Sequence, residues 1–209
     1  MNRPTRRAFL AAASAGAAGL AGCLGGGDEE RDCSGDQRSV DVPPAGDPDS
    51  DVTVVAYEDF ECPGCGQYAR EVYPAAVAEF VEDGRIAYEH RDFPVTVGGE
   101  WSWRVPNAAF AVAEDAGEDA YYAFVKEVYR FQDEYDEGNV AGLAGEVGAD
   151  EEWVEEAIEE EPFCEQIHDS VDEAEDRGVS ATPTVFVGDE QLEAPAADEL
   201  REAIEAELA

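Results

Sequence analysis

Two cysteines stand one helical turn apart in Glu58-Asp59-Phe60-Glu61-Cys62-Pro63-Gly64-Cys65. Thiols at that spacing can hold a metal, cross-link the fold or exchange electrons. A zinc site asks for about four ligands. The chain has no second CxxC, and only His90 and His168 stand as further nitrogen ligands. A structural disulfide suits an oxidising compartment, but closing so short a loop removes little unfolded-state entropy. The spacing therefore favours a redox dithiol, with no metal and no cofactor expected.

That chemistry needs elements that place one sulfur as a thiolate. Val52–Tyr57 is a short, β-branched apolar run, the mark of a buried strand. From Pro63 the pattern turns helical: Tyr68, Val72, Ala76 and Phe80 recur every four residues, and Val77 and Val81 widen the stripe. Proline is tolerated at a helix start, where Pro63 stands. Pro74 lies inside the pattern and predicts a kink, and Gly84 an end. Cys62 thus falls between a strand end and a helix start. Free amides and the helix dipole there favour the thiolate, below the usual value of about 8.5. Cys65, one turn later, is expected to be the more buried, resolving thiol.

Further along, Arg85–Arg91 alternates like a strand. Helices are expected over about Val105–Ala116, Ala120–Phe131, Val140–Val147, Glu151–Glu160 and Phe163–Arg177, the last stopping at Gly178. Thr184–Val187 reads as a buried strand, Gly188-Asp189 as a turn and Glu190–Leu192 as its partner. Asp198 is expected to cap a last helix reaching about Leu208. A strand–helix–strand opening implies a parallel pair with a crossover, and the terminal hairpin adds antiparallel strands. Just before the Thr184 strand, Thr182-Pro183 predicts a cis peptide bond in a tight turn. Its neighbouring backbone groups would be free to pair with an extended substrate.

The N-terminus reads as an address, residues 1–22. Thr5-Arg6-Arg7-Ala8-Phe9-Leu10 resembles a twin-arginine export motif, and Ala8–Leu20 is uncharged but too short to span a bilayer. Leu20-Ala21-Gly22-Cys23 resembles a lipobox, so Cys23 is expected to carry lipid. Residues 23–50 are rich in Gly, Asp and Pro and read as a flexible tether, with a short strand near Val40. The domain proper then spans 51–209, with a helical insertion over about 101–177. Export and lipidation place it at the extracytoplasmic face of the membrane.

The chain of 209 residues carries 13 basic and 51 acidic residues, a net charge of −38. From Cys23 onward 10 basic and 51 acidic residues remain, a charge of −41. Such self-repulsion opposes folding at low salt, and roughly molar salt screens it beyond about 3 Å. The charge points to a salt-adapted, archaeal source, the alternative being an acidic surface for a basic partner. It excludes nucleic acid as a partner, since no basic patch exists to meet phosphates. Hydrophobic residues make up 44%, so the chain buries a core despite its charge.

Three stretches together carry a family resemblance: Glu58–Cys65, Arg91-Asp92-Phe93-Pro94, and Gly178-Val179-Ser180-Ala181-Thr182-Pro183-Thr184. With the helical block between Val105 and Arg177, the chain from about Gly46 to Ala209 resembles the DsbA-like branch of the thioredoxin superfamily. The resemblance implies an α/β thioredoxin-like fold with a helical insertion between an N-terminal β-α-β unit and a C-terminal β-β-α unit. It makes Cys62 the nucleophile, Cys65 the resolving cysteine, Pro63 and Gly64 the spacer of the active-site motif, and Thr182-Pro183 the cis-proline loop. It implies a thiol-disulfide oxidoreductase acting on exported cysteine-containing proteins, reset by a membrane or extracytoplasmic redox partner, and expected to be a monomer.

Two positions depart from the family. Many members carry a buried acid six residues before the first cysteine, where this chain has Ala56; Glu58 and Asp59 are the candidate proton-transfer groups instead. Strongly oxidising relatives often have Pro-His between the cysteines, and Gly64 replaces that histidine, which predicts a less oxidising couple. With Cys23 lipidated and Cys62 facing Cys65, Cys33 and Cys164 remain. They are expected to form a structural disulfide tying the tether to the helical block, the alternatives being free thiols or an intermolecular bridge. His90 and His168 are expected to serve packing or surface roles, and Trp101 and Trp103, which follow Gly98-Gly99, core packing, the alternative being the lining of an apolar substrate groove. A rival reading makes the chain a copper-handling or scaffold lipoprotein, with Cys62 and Cys65 as Cu(I) ligands.

Overall fold

The computed structural model describes residues 31–94 and 99–209. The export and lipidation signals of residues 1–22 and Cys23, and the head of the tether, lie outside the described residues.

The strand that leads to the dithiol, β2 (Thr53–Glu58), sits at the centre of a five-stranded sheet. It pairs in parallel with β3 (Ala87–Asp92) and antiparallel with β4 (Thr184–Val187). Outside β4 runs β5 (Glu190–Glu193), and outside β3 a two-residue β1 (Ala45–Gly46). Val54 and Ala56 of β2 enter one apolar cluster, Val55 and Tyr57 another. Both faces of the strand are covered, which is why it reads as an unbroken apolar run.

The helical run that opens at Pro63 comprises four segments: α1 (Pro63–Gln67), a π-helical turn (Tyr68–Val72), α2 (Tyr73–Ala76) and α3 (Ala78–Glu82). The kink expected at Pro74 takes the form of that π turn, in which the Tyr73 N–H bonds to the Tyr68 carbonyl. Proline lacks an N–H and its ring crowds the preceding turn, and one extra residue in the turn relieves both. Gly84 ends the run with φ of +62°.

The insertion holds α4 (Trp101–Ala116), α5 (Glu118–Val128), a 3-10 turn (Tyr129–Phe131), α6 (Glu137–Glu146), α7 (Glu151–Glu160) and α8 (Cys164–Asp176). α8 lays Val171 and Ala174 on Val55, Tyr57 and Phe186. The buried residues of α4 to α7 join the larger core on the other side. The last helix, α9 (Ala197–Glu207), adds Leu200 and Ile204 to that core. Its cap is Ala196, not the expected Asp198: Ala196 has the extended backbone a cap requires, and Glu199 reaches back to its N–H at 3.4 Å. Asp198 stands in the first turn, where its charge suits the helix dipole.

The segment expected to be a tether departs most from its composition. From Arg31 to Ser50 it runs against the domain. Cys33 is disulfide-bonded to Cys164, Arg31 pairs with Glu161, and Arg38 with Glu114 at 2.6 Å. The backbone N–H and C=O of Val40 both bond to the Gln166 amide at 2.9 Å, so Val40 is held by a side chain and not by the expected strand. Pairing with the sheet starts only at Ala45. These partners lie over a hundred residues away in several cases, so local composition carries no sign of them. Among the described residues no helix is long and apolar enough to cross a membrane.

Candidate active site

Cys62 has an extended backbone and caps α1, and Pro63 follows as the first helical residue. The Cys62 carbonyl accepts the N–H of Cys65 at 3.0 Å and of Gly66 at 3.1 Å, which closes the first turn under its own sulfur. Across from it the Thr182–Pro183 bond is cis. The Thr182 carbonyl lies 3.3 Å from Cys62 Sγ. A Cβ on Gly64 would stand 3.2 Å from Pro183 Cδ and 3.7 Å from Cys62 Sγ, so the two loops pack across the motif with little room to spare. The structure thus brings Cys62, Pro63, Gly64, Cys65, Thr182 and Pro183 into one site.

The two sulfurs are unequal. Both are free thiols, Cys62 half-buried and Cys65 fully buried. The Cys62 thiol is brought down to about 5, first by a hydrogen bond from Cys65, then by Thr182 and by the Cys65 and Gly64 amides; partial burial opposes them. Burial drives the Cys65 thiol far up, helped by its bond to Cys62 and by the charge of Glu58. At neutral pH the outer sulfur is a thiolate and the inner one keeps its proton.

Glu58 and Asp59 turn in different directions. Glu58, at the end of β2, is 2% exposed. It accepts the Tyr129 hydroxyl at 3.1 Å and meets His90 Nδ1 at 3.2 Å. Asp59 offers its backbone N–H to Cys65 Sγ at 3.4 Å, while its carboxylate accepts the Ser102 hydroxyl at 2.7 Å and the Glu61 N–H at 2.9 Å. Ala56, at the position where many relatives carry an acid, lies opposite His90 in the β2–β3 register.

Two contributors escape the sequence reading. Gln132 donates to the Phe60 carbonyl at 2.9 Å and to the Cys62 carbonyl at 2.7 Å, pinning the loop before α1; no local signal marks it. His90, expected to pack or face solvent, is buried between two carboxylates. The strand alternation puts Tyr88, His90 and Asp92 on one face, and that signal was available. Trp103 is buried against His168, and Trp101 packs on Tyr135.

Among the described residues, one group of His, Cys, Asp or Glu is close enough to surround an ion: Cys33, Cys164 and His168. Its two sulfurs are bonded to each other, so they are not thiolate ligands.

The sequence model of a family described as Thioredoxin matches residues 39–206. Disulfide bond formation protein D of Bacillus subtilis (strain 168) is 27% identical over 182 residues, which cover 84% of this chain and 81% of that protein. Oxidised BdbD from Bacillus subtilis superimposes with a TM-score of 0.71 at 24% identity, over 83% of this chain and 99% of that one. The thiol-disulfide exchange protein alpha-DsbA2 from Wolbachia pipientis gives 0.66 at 24% identity, over 79% and 86%.

Proposed function

The chain belongs to the thioredoxin family, as a protein-disulfide oxidoreductase of the DsbA-like kind, and on that premise we propose that it donates disulfides to exported proteins outside the cytoplasm. One observation supports the direction above all: the outer sulfur is an acidic thiol, brought to about 5, and the inner sulfur is buried with its proton. A stabilised Cys62 thiolate favours the reduced enzyme and leaves easily, and both make the Cys62–Cys65 disulfide a ready donor.

In this direction a substrate thiolate attacks Cys62 Sγ. The Cys62–Cys65 bond breaks, and Cys65 leaves with the electron pair and takes up a proton. A second substrate thiolate attacks the substrate sulfur of the mixed disulfide and releases Cys62 as thiolate. In reverse, Cys62 attacks a substrate disulfide and Cys65 resolves it. The Thr182-Pro183 loop beside Cys62 offers backbone groups for an extended substrate segment. A redox partner at the membrane or outside the cytoplasm must restore the disulfide. The copper-handling alternative gains no support from the site or from the relatives.

The same proposal extends to the layout. Residues 1–22 serve as a twin-arginine signal, and Cys23 as the lipidated N-terminus. Residues 23–50 form a tether of which the part from Arg31 onward packs on the domain, and 51–209 form the catalytic domain, acting as a monomer in a salt-adapted cell. One lipid chain binds a membrane weakly, so two chains are expected. Replacing Cys23 by serine is expected to release the protein from the membrane fraction.

The deciding experiment equilibrates the Cys62–Cys65 couple with defined thiol buffers in molar salt. A potential of about −120 to −180 mV places it among disulfide donors, and one near −270 mV makes it a reductase. Cys65→Ser is expected to accumulate mixed disulfides on Cys62.

A further inference from the structure

At the start of α8, three side chains of the kinds that ligate metals converge, none of them part of the exchange site. Cys33 Sγ, Cys164 Sγ and one ring nitrogen of His168 all lie within 4.8 Å of one another. Cys164 and His168 stand four residues apart on α8, which puts both on one face of the helix. Cys33 meets them from the packed segment. His168 Nε2 lies 3.0 Å from the Arg31 carbonyl. A carbonyl only accepts, so Nε2 carries the proton and Nδ1 keeps its lone pair. A backbone carbonyl behind the imidazole is the usual support of a ligating histidine. The Trp103 ring packs on the imidazole with centroids 4.7 Å apart and fixes it further.

The segment that carries Cys33 has further hold points around the same helix start. Arg31 pairs with Glu161, and the Arg38 N–H donates to the Pro162 carbonyl at 2.7 Å. The Glu165 N–H donates to the Gln37 carboxamide at 3.1 Å, and Gln166 holds Val40 twice. With the disulfide open, these contacts still bring Cys33 to the first turn of α8. Tetrahedral zinc with Zn–S bonds of about 2.3 Å sets two thiolates about 3.8 Å apart, inside the spread of the three ligand atoms. Cys164 is buried, while Cys33 and His168 are half-buried and leave an approach for an ion and one water. We propose that, once reduced, Cys33 and Cys164 form with His168 a zinc site that holds the segment in place of the disulfide. A dithiol reductant supplies two electrons and two protons; the Cys33–Cys164 bond breaks into two thiols, and the reductant closes to its own disulfide. Zn²⁺ then displaces both thiol protons as two Zn–S bonds form, the imidazole adds a third bond, and water completes the tetrahedron.

The test uses the full chain with Cys23→Ser, Cys62→Ser and Cys65→Ser, so that only Cys33 and Cys164 offer sulfur. The protein is reduced with a dithiol in molar salt, freed of reductant without air, and titrated with Co²⁺, whose tetrahedral thiolate complexes absorb in the visible. One Co²⁺ per chain is expected to develop those bands together with near-ultraviolet sulfur-to-metal absorption, and Zn²⁺ to bleach them. The oxidised protein is expected to show neither. His168→Ala is expected to weaken binding at least ~10-fold, as loss of a ligand or its support does, and to change the visible bands. In the reduced protein Zn²⁺ is also expected to protect Cys33 and Cys164 from alkylation.

A reduced, folded protein without thiolate bands would overturn the proposal. Undiminished binding in His168→Ala would do the same, since it leaves a contact through the two sulfurs alone. Equal binding by the oxidised protein would make surface carboxylates the ligands and overturn it too. If reduction by itself loosens the fold, a phosphine reductant is added with Zn²⁺ already present. Cys33 and Cys164 that then alkylate as fast as without Zn²⁺ overturn the proposal as well. Each of these readouts is taken in the absence of Cys62 and Cys65, so none of them bears on the exchange reading.

Discussion

Cys62–Cys65 and Cys33–Cys164 are two cysteine pairs in one chain, and each has a member at a helix start. Cys62 caps α1, and Cys164 is the first residue of α8. The helix start alone therefore does not make a redox cysteine. The pairs differ in access and in symmetry. Cys62 is half-buried and faces a fully buried partner whose thiol burial drives up, which on the proposed exchange reading makes Cys62 the nucleophile and Cys65 the resolver. Cys164 is 1% exposed, and its bond to Cys33 lies among contacts that already hold the same segment, Arg31–Glu161 and Val40–Gln166. One pair is arranged to be attacked and the other to stay closed.

Exchanging the roles by mutation is the strongest way to break this contrast. Cys62→Ser is expected to lose all measurable disulfide exchange, while the Cys33→Ala/Cys164→Ala double variant keeps it within ~3-fold. Turnover in the first variant, or its loss in a folded second one, would reverse the assignment. In stability the ranking inverts. The Cys33–Cys164 bond closes a loop spanning 131 residues, worth about 5 kcal/mol of unfolded-state entropy. Denaturant unfolding of the double variant in molar salt is expected to show a loss of that order, and a loss under ~1 kcal/mol would mean that the non-covalent contacts suffice.

Acidity separates the pairs next. Alkylation of Cys62 is expected to follow a midpoint of about 5. The folded state lowers this thiol below its usual value of about 8.5. Its contribution to the reduced fold is therefore complete above pH 9 and lost as pH falls through 5. Between those limits the reduced protein is expected to gain stability over the oxidised one as pH rises, in thermal unfolding of both forms. A midpoint near 8.5 would remove the asymmetry on which the donor reading rests. The smallest effect concerns the contacts around the closed pair. Arg38→Ala removes a half-exposed ion pair to Glu114 and a stacking contact 5.0 Å over Trp153. In molar salt about 0.5–1 kcal/mol is expected, mostly from the lost packing.

Local signals made much of this legible. β4 (Thr184–Val187) and α7 (Glu151–Glu160) have the bounds that their apolar periods predict. The short apolar run before Cys62 and the helical stripe after it located the dithiol between β2 and α1. Interactions between distant residues stayed out of reach. Glu58, His90 and Asp92 meet because β2 and β3 pair in one particular register, setting Ala56 opposite His90. A single sequence states the alternation of β3 but not which strand it adjoins. The segment from Arg31 to Ser50 misled for the same reason: Gly, Asp and Pro describe a chain free to move, and its anchors lie on distant elements, among them β3, α4 and α8.

The cross-link between Cys33 and Cys164 also has a mechanical meaning. A pull on the chain ahead of Cys33 enters the fold through a covalent bond to the first residue of α8. From there the backbone leads to the C-terminus without passing through residues 34–163. The two-residue β1 and the whole Cys62–Cys65 turn lie in the bypassed loop. Tension between a point ahead of Cys33 and the C-terminus bypasses the covalent segment that carries Cys62 and Cys65 and runs instead through the Thr182-Pro183 loop that packs against them.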